Sequence, residues 1–201
     1  MMNPFSIVTE ARSTYAYLHQ QNEMNDVLEF LEHRNLFGFI EVGSANGGSF
    51  HCWGRAIPNG PKISVDWNFG FGLVNQNAGD TVAKEEDHPV IQARNNLWRA
   101  NFTSVHTIDG DSRSPDTIDQ VRKVLNGGVV DWVFIDAWHE YDAAMADYKN
   151  YLEFVSPLGY IAFHDINQSD SMKQFWHEVK GNHRTAIEFD GGTGIGILSR
   201  M

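Results

Sequence analysis

Cysteine is almost absent: Cys52 stands alone among 201 residues, so no internal disulfide forms and the fold must rest on its packed core. Positive charge is scarce as well. Fifteen Lys and Arg face 26 Asp and Glu, a formal net charge of −11 that repels phosphate backbones and anionic lipid, and this argues against nucleic-acid and membrane partners. Apolar runs of membrane length are missing, and no basic-then-apolar leader follows Met1, so a soluble, cytoplasmic protein is expected. No fixed-period repeat or Pro-, Gly- or Ser-rich linker divides the chain, which implies one domain over 1–201. Aromatic residues, in contrast, are abundant: 13 Phe, 6 Tyr and 6 Trp suit either a large core or walls around a small-molecule cleft, and composition does not choose between them.

From residue 38 onward the pattern alternates. Short β-branched or aromatic runs at 39–42, 62–66, 104–108, 131–136 and 160–164 each end in, or are followed by, a polar or acidic residue, as buried parallel strands do. Helical stretches lie between them at 88–100, 115–126 and 140–155, with Pro115 suited to a first helical position. Such alternation predicts right-handed crossovers and a doubly wound α/β sheet. A helix at 171–180 then gives way to strands at 184–189 and 194–198 around Asp190-Gly191-Gly192-Thr193, a hairpin that closes the sheet with an antiparallel pair. Upstream, Met24, Val27, Leu28 and Leu31 recur at helical spacing, which makes 1–37 a helical cover over the core at 38–198. Residues 67–87 show no period and read as a lid or substrate loop.

The first strand runs into Glu41-Val42-Gly43-Ser44-Ala45-Asn46-Gly47-Gly48-Ser49. A dinucleotide fingerprint needs Gly where Ala45 stands, and a P-loop needs Lys where Ser49 stands, so neither phosphate motif fits. Glu41 instead suits a ligand carrying ammonium or sulfonium charge. Asp66 ends the second strand, where doubly wound cofactor domains offer a carboxylate to two ribose hydroxyls. Gly110-Asp111-Ser112 ends the third and offers an acceptor and a hydroxyl to an adenine edge. Asp136 and His164-Asp165 end the fourth and fifth, with His139 three residues beyond Asp136. Parallel strands deliver these ends to one rim, where two carboxylates without a neighbouring Arg or Lys favour a divalent cation. With His164 turned inward the site is softer and favours Mn²⁺, Co²⁺, Ni²⁺ or Zn²⁺; with His164 turned away, Mg²⁺ and its waters suffice. His19, His33, His51, His88, His106, His177 and His183 have no such neighbours and read as structural or surface residues, Cys52 reads as a packed thiol, and Trp98 and Trp176 as fillers between helices and sheet.

The ordered set E-V-G-S-A-N-G-G-S, V-D, G-D-S, F-I-D-A-W-H and G-Y-I-A-F-H-D-I resembles the class I S-adenosylmethionine-dependent methyltransferases over 38–198. Within them it is most similar to the metal-dependent small-molecule O-methyltransferases, in the branch of macrocin-type sugar enzymes and cephalosporin-hydroxylase-like proteins. The resemblance implies a Rossmann-like sheet of seven strands, order 3-2-1-4-5-7-6, with the last strand antiparallel. It places Glu41, Gly43, Ser44, Gly47 and Ser49 at the methionine end of the cofactor, Asp66 at the ribose, Asp111 and Ser112 at the adenine, and Trp138 at the cofactor's border. Asp136 and Asp165 match metal ligands, Asp136 counting toward the cofactor wall too, and His139 matches the general base. His164 departs from the family, which carries an acid there.

The function expected is metal-assisted methyl transfer from S-adenosylmethionine to a small-molecule hydroxyl, with Mg²⁺, Mn²⁺ or a softer ion and with a homo-oligomer compatible. A metal-dependent hydrolase or oxygenase, and a non-catalytic S-adenosylmethionine-binding protein, are the alternatives.

Overall fold

The structure, a computed structural model, describes residues 3–15, 19–68, 86 and 88–200. The loop expected at 67–87 therefore lies, apart from Trp67, Asn68 and Glu86, outside the described residues. Two helices, α1 (Pro4–Thr14) and α2 (Gln21–Glu32), precede the sheet. The sheet then alternates with helices as β1 (Phe39–Val42), α3 (Gly48–Ala56), β2 (Lys62–Asp66), α4 (Pro89–Asn101), β3 (Val105–Asp109), α5 (Pro115–Leu125), β4 (Val130–Ile135), α6 (Tyr141–Tyr151) and β5 (Val155–His164). Helix α7 (Asp170–Lys180) and the hairpin β6 (Ala186–Phe189) and β7 (Ile195–Ser199) complete it. The seven strands lie in the order β3-β2-β1-β4-β5-β7-β6, as the resemblance implies. Strands β1 to β5 pair in parallel, and β7 runs antiparallel to both β5 and β6.

Helix ends follow local chemistry. Pro89 and Pro115 open α4 and α5, where the missing N–H costs no helical bond, and Ser169 caps α7 by accepting from the Met172 amide at 3.2 Å. The helix expected through residue 155 stops at Tyr151, followed by a single tight turn at Leu152–Phe154. Pro157 explains the difference: it biases the preceding residue toward extended backbone, so β5 begins at Val155, five residues earlier than expected.

Strict alternation sends successive side chains to opposite faces. Ile40, Val42, Ile63, Val65, Val133 and Ile135 pack with α5 and α7 residues such as Val121 and Trp176. Phe39, Trp132 and Phe134 pack on the other face with Trp53 of α3, Trp98 of α4 and the Met24–Leu31 stripe of α2. Cys52 is buried there as expected.

The same alternation corrects the expectation for Glu41. Sharing the face of Phe39, it points into the layer under α3 and is fully buried, with Trp53 Nε1 donating to its Oε1 at 3.0 Å. Burial pushes its carboxyl up to about 8; hydroxyls of Ser49 and Ser44 and the Trp53 indole pull it part of the way back, and the charge of Asp136 adds to the rise. Glu41 is thus a neutral strap between β1 and α3 rather than a charged strand-end ligand. Between the ordinary value of 4.5 and about 8 the folded chain holds a proton that the unfolded chain releases, so this group makes stability fall as pH rises. Glu41→Gln keeps an acceptor for Trp53 but does not titrate. Its stability relative to wild type should grow by at least about 1 kcal/mol between pH 5 and pH 8 in urea melts, since a tenfold difference in proton affinity between folded and unfolded chain is worth about 1.4 kcal/mol; a pH-independent difference would contradict a neutral Glu41.

Candidate functional site

The C-terminal ends of β1, β2, β3 and β4 open onto a cavity of about 290 Å³. Gly43, Asp66, Asp111, Ser112, Asp136 and Trp138, all singled out from sequence, line it, together with Ala45, Trp67 and Arg113. Gly43 has φ +85°, and a Cβ there would stand 2.2 Å from the Asp136 carbonyl oxygen, so only glycine lets the chain leave β1 this close to the end of β4.

The rest of the turn does other work. Ser44 exchanges a hydrogen bond with Ser64 at 2.8 Å in the interior, and Ser49 is buried at the start of α3 beside Glu41. Gly47 (φ +91°) makes room for a ring rather than a ligand: a Cβ would meet Trp98 at 2.5 Å, and Trp98 Nε1 donates to the Gly47 carbonyl at 3.2 Å. Glu41, Ser44, Gly47 and Ser49 are therefore not among the residues lining the cavity, contrary to expectation. They support its floor.

Asp66 is where expected but already partnered. Its Oδ1 accepts from the Asn68 amide at 2.6 Å, and its Oδ2 from the Ala45 amide at 2.7 Å and from Arg94 Nη1 at 3.3 Å. Arg94 also donates to the Ala45 carbonyl at 2.6 Å and lies 4.6 Å over the Trp98 ring. The sequence reading missed Arg94. Its signal was an arginine in register with Ile91 and Trp98 on the buried stripe of α4, a place where a charge needs a partner. Asp111 is clamped by Arg113 through contacts of 2.9 and 2.8 Å, and these hydrogen bonds hold its carboxyl below the usual range.

A second cavity, of about 500 Å³, adjoins the first and shares Ala45 and Asp136 with it. Here His139, His164 and Asp165 come together around Asp136, as expected from their strand ends. His139 Nε2 and His164 Nδ1 each stand 3.1 Å from Asp136 Oδ1, and Asp165 approaches both rings, at 2.9 Å from His139 Nδ1 and 3.1 Å from His164 Nδ1. Of the two orientations open to His164, the structure shows the inward one. Neighbouring strand residues normally face opposite sides, but Asp165 lies past the end of β5 with φ +61°, and this left-handed residue brings consecutive side chains to one place.

His19 has a partner that the sequence reading did not give it. Taken there as structural or surface, it enters from the segment between α1 and α2 and sets Nε2 3.2 Å from Asp136 Oδ2, its ring 4.1 Å from that of His164. Arg12 holds the segment by donating to the His19 carbonyl at 2.6 Å. No motif announces His19, because only tertiary packing brings it to the rim. Glu23 of α2 is also buried here, accepting from the Gly194 amide at 3.0 Å with its other oxygen 3.7 Å from His164 Nε2.

Charges in the cluster set one another. Burial alone pushes Asp136 up, but His19 and His164 override it and hold the carboxyl well below the carboxylate range. Burial likewise lowers His164 and His139, yet the facing carboxylates raise them to about 12 and about 9. Asp165, destabilised by burial, is pulled below its usual range by hydrogen bonds from His139 and His164. Donor atoms of His19, Asp136 and His164, and of Asp136, His139 and Asp165, lie within 4.8 Å of one another in each group. Carboxylate and imidazole donors this close fit a divalent cation, which would take over the neutralising role that protons fill here.

Residues 40–166 match the family described as methyltransferase domain. No curated protein matches the chain. Among solved structures, the fold is similar to an O-methyltransferase from Bacillus cereus in complex with S-adenosylhomocysteine, at 15% identity and TM-score 0.62 over 99% of this chain and 93% of that one. It is also similar to the O-methyltransferase TomG from Streptomyces achromogenes, in complex with S-adenosylmethionine, at 15% identity and TM-score 0.59 over 99% and 90%. A third likeness is to the MycE methyltransferase of mycinamycin biosynthesis, in complex with Mg, S-adenosylhomocysteine and mycinamycin VI, at 12% identity and TM-score 0.61; the chain, 98% covered, spans about half (54%) of that protein's length. With the strand order 3-2-1-4-5-7-6 in place and 40–166 of its 201 residues matched, the chain belongs to the methyltransferase-domain family.

Proposed function

We propose that this chain moves the methyl group of S-adenosylmethionine to a hydroxyl oxygen of a small molecule, with a divalent cation assisting. The observation that supports this most is the shared wall. Ala45 and Asp136 line both cavities, so a ligand held along Gly43, Asp66 and Ser112 faces a second ligand beside His139 across one carboxylate. Two substrate sites meeting at one rim are what direct group transfer requires.

Each residue then has a task. The Ala45 turn and Asp66, braced by Arg94, fix the donor in place, and Asp66 offers its remaining lone pair, on Oδ1, to a ribose hydroxyl. Asp111 and Ser112 face the adenine, and Trp138 borders the cofactor. His139, lowered by burial but raised to about 9 by Asp136 and Asp165, serves as base in its neutral form: Nε2, which stands 3.1 Å from Asp136 Oδ1, receives the acceptor's proton, while Asp165, 2.9 Å from Nδ1, fixes the tautomer. As the new O–C bond forms, the C–S bond breaks and sulfur keeps the electron pair. A divalent cation bound beside Asp136 would supply positive charge that lowers the pKa of a hydroxyl next to it. Glu41 and Gly47, expected from sequence as cofactor contacts, act through the shape of the floor.

A metal-dependent hydrolase or oxygenase remains the second reading, because two imidazoles and a carboxylate in the group of His19, Asp136 and His164 also suit open-site metal chemistry. Cofactor binding separates the two. Titration calorimetry should show micromolar binding of S-adenosylhomocysteine and none of NAD, with Asp66→Ala weakening it by about 1.5–3 kcal/mol as charge-assisted contacts are lost. Absence of heat with S-adenosylhomocysteine would reject methyl transfer.

For His139, the expectation is kinetic. In a methyl-transfer assay with a hydroxylated acceptor, His139→Ala should turn over about 10²–10⁴-fold more slowly with S-adenosylhomocysteine affinity unchanged. Turnover equal to wild type would remove His139 from proton transfer.

A further inference from the structure

Around Asp136 the five donor residues form two overlapping groups, and one ion does not need both. The surroundings of each imidazole distinguish them. His19 and His164 are buried, with side chains 6% and 9% exposed, whereas that of His139 is 31% exposed and opens to the second cavity. His19 Nε2 and His164 Nδ1 approach different oxygens of the same carboxylate, Asp136 Oδ2 at 3.2 Å and Oδ1 at 3.1 Å, so three donors from three separate segments converge there.

The far nitrogen of His164 carries the second clue. Its Nε2 lies 3.4 Å from Thr193 Oγ1 and 3.7 Å from the buried carboxylate of Glu23, which the Gly194 amide holds in place. A histidine that ligates a metal through one nitrogen characteristically gives the other to a carboxylate or hydroxyl, which sets its tautomer. His139 Nε2 also stands 3.1 Å from Asp136 Oδ1, and Asp165 is 3.1 Å from His164 Nδ1 as well, but the His139 ring is the more exposed and opens to the cavity, which with Asp165 2.9 Å from its Nδ1 resembles a base and its orienter.

We propose that His19, His164 and Asp136 form the metal-binding set, that this set selects a borderline ion such as Fe²⁺, Co²⁺ or Zn²⁺ over Mg²⁺, and that His139 with Asp165 is kept out of it as the proton-accepting pair. This assignment deepens the methyl-transfer reading and rests on it for the role of His139, though not for the binding of the metal. It also departs from the resemblance, which gives Asp165 to the metal. His19 lies outside residues 40–166, so the family match does not contain this ligand. Two nitrogens and one carboxylate favour later first-row ions, while Mg²⁺ demands oxygen donors in near-ideal octahedral geometry.

The test uses the whole chain stripped with chelator, titrated with Co²⁺, Mn²⁺ or Mg²⁺ by calorimetry, with pulsed electron paramagnetic resonance on the Mn²⁺ form to count bound imidazole nitrogens. S-adenosylhomocysteine binding is measured on the same samples. Wild type should prefer Co²⁺ to Mg²⁺ by about 100-fold or more. His19→Ala should lose about 10-fold or more in Co²⁺ affinity with S-adenosylhomocysteine binding retained, and His139→Ala should stay within about threefold of wild type. The nitrogen count should be two in wild type and one in His19→Ala. Equal affinity for Mg²⁺, an unaffected His19→Ala, or a His139→Ala as weak as His19→Ala would overturn the assignment. Should His19→Ala also lose S-adenosylhomocysteine, the count in His139→Ala decides: two nitrogens there support the set and any other number rejects it. Metal binding as expected without S-adenosylhomocysteine binding would instead reject methyl transfer and leave the ligand set standing.

Discussion

Everything at the rim of this sheet depends on the carboxylate of Asp136. It is held at the end of β4, where its amide donates to the Val42 carbonyl at 2.8 Å and its carbonyl oxygen stands where a Gly43 side chain would go. From there it separates two cavities and gathers three imidazoles, from the α1–α2 segment, from the turn after β4 and from the end of β5. A buried negative charge is costly unless paired, and here the pairing extends beyond one partner. That cost explains why the N-terminal helices are more than a cover: without His19 and Glu23 the cluster would lose a neutralising imidazole and the carboxylate behind His164.

The two cavities receive their electrostatic character from opposite arrangements. In the first, carboxylates are matched by guanidinium groups, Asp66 by Arg94 and Asp111 by Arg113, whose charge is permanent. In the second, carboxylates are matched by imidazoles, whose charge is conditional. Permanent pairs fix shape and suit a site that holds a ligand still. Conditional pairs can trade protons for a cation, or pass one on, and suit a site where a bond is made.

The sequence discloses a good deal of this and misses the rest for a definable reason. Strand-end acids at Asp66, Asp136 and Asp165 are legible because parallel strands bring their C-terminal ends together whatever the helices do. The closing hairpin is legible from its glycines, and the N-terminal helix at Met24–Leu31 from its stripe. Roles along the first turn are not, because Glu41, Ser44, Gly47 and Ser49 differ from Gly43 only in which way the chain faces, and that is set by Trp53, Ser64 and Trp98 packing from elsewhere. His19 and Arg94 are invisible for the same reason. Each is a polar residue on a segment whose local pattern is merely helical or irregular, and its meaning comes from a partner 117 or 28 positions away.

The remaining puzzle is why a chain with 26 acids places two of them close together, Glu41 on β1 and Asp136 just past the end of the neighbouring β4. Two ionised carboxylates in a dry interior repel strongly, and the repulsion is relieved only if one takes a proton or a counter-charge arrives. The structure uses both remedies, one on each side. Glu41 faces α3, where the Trp53 indole and the Ser49 and Ser44 hydroxyls offer hydrogen bonds but no charge, so burial wins and the group stays neutral. Asp136 faces three imidazoles, which outweigh burial and keep it ionised. Neutrality behind the rim thus concentrates negative charge at its front, at the one carboxylate that both cavities share.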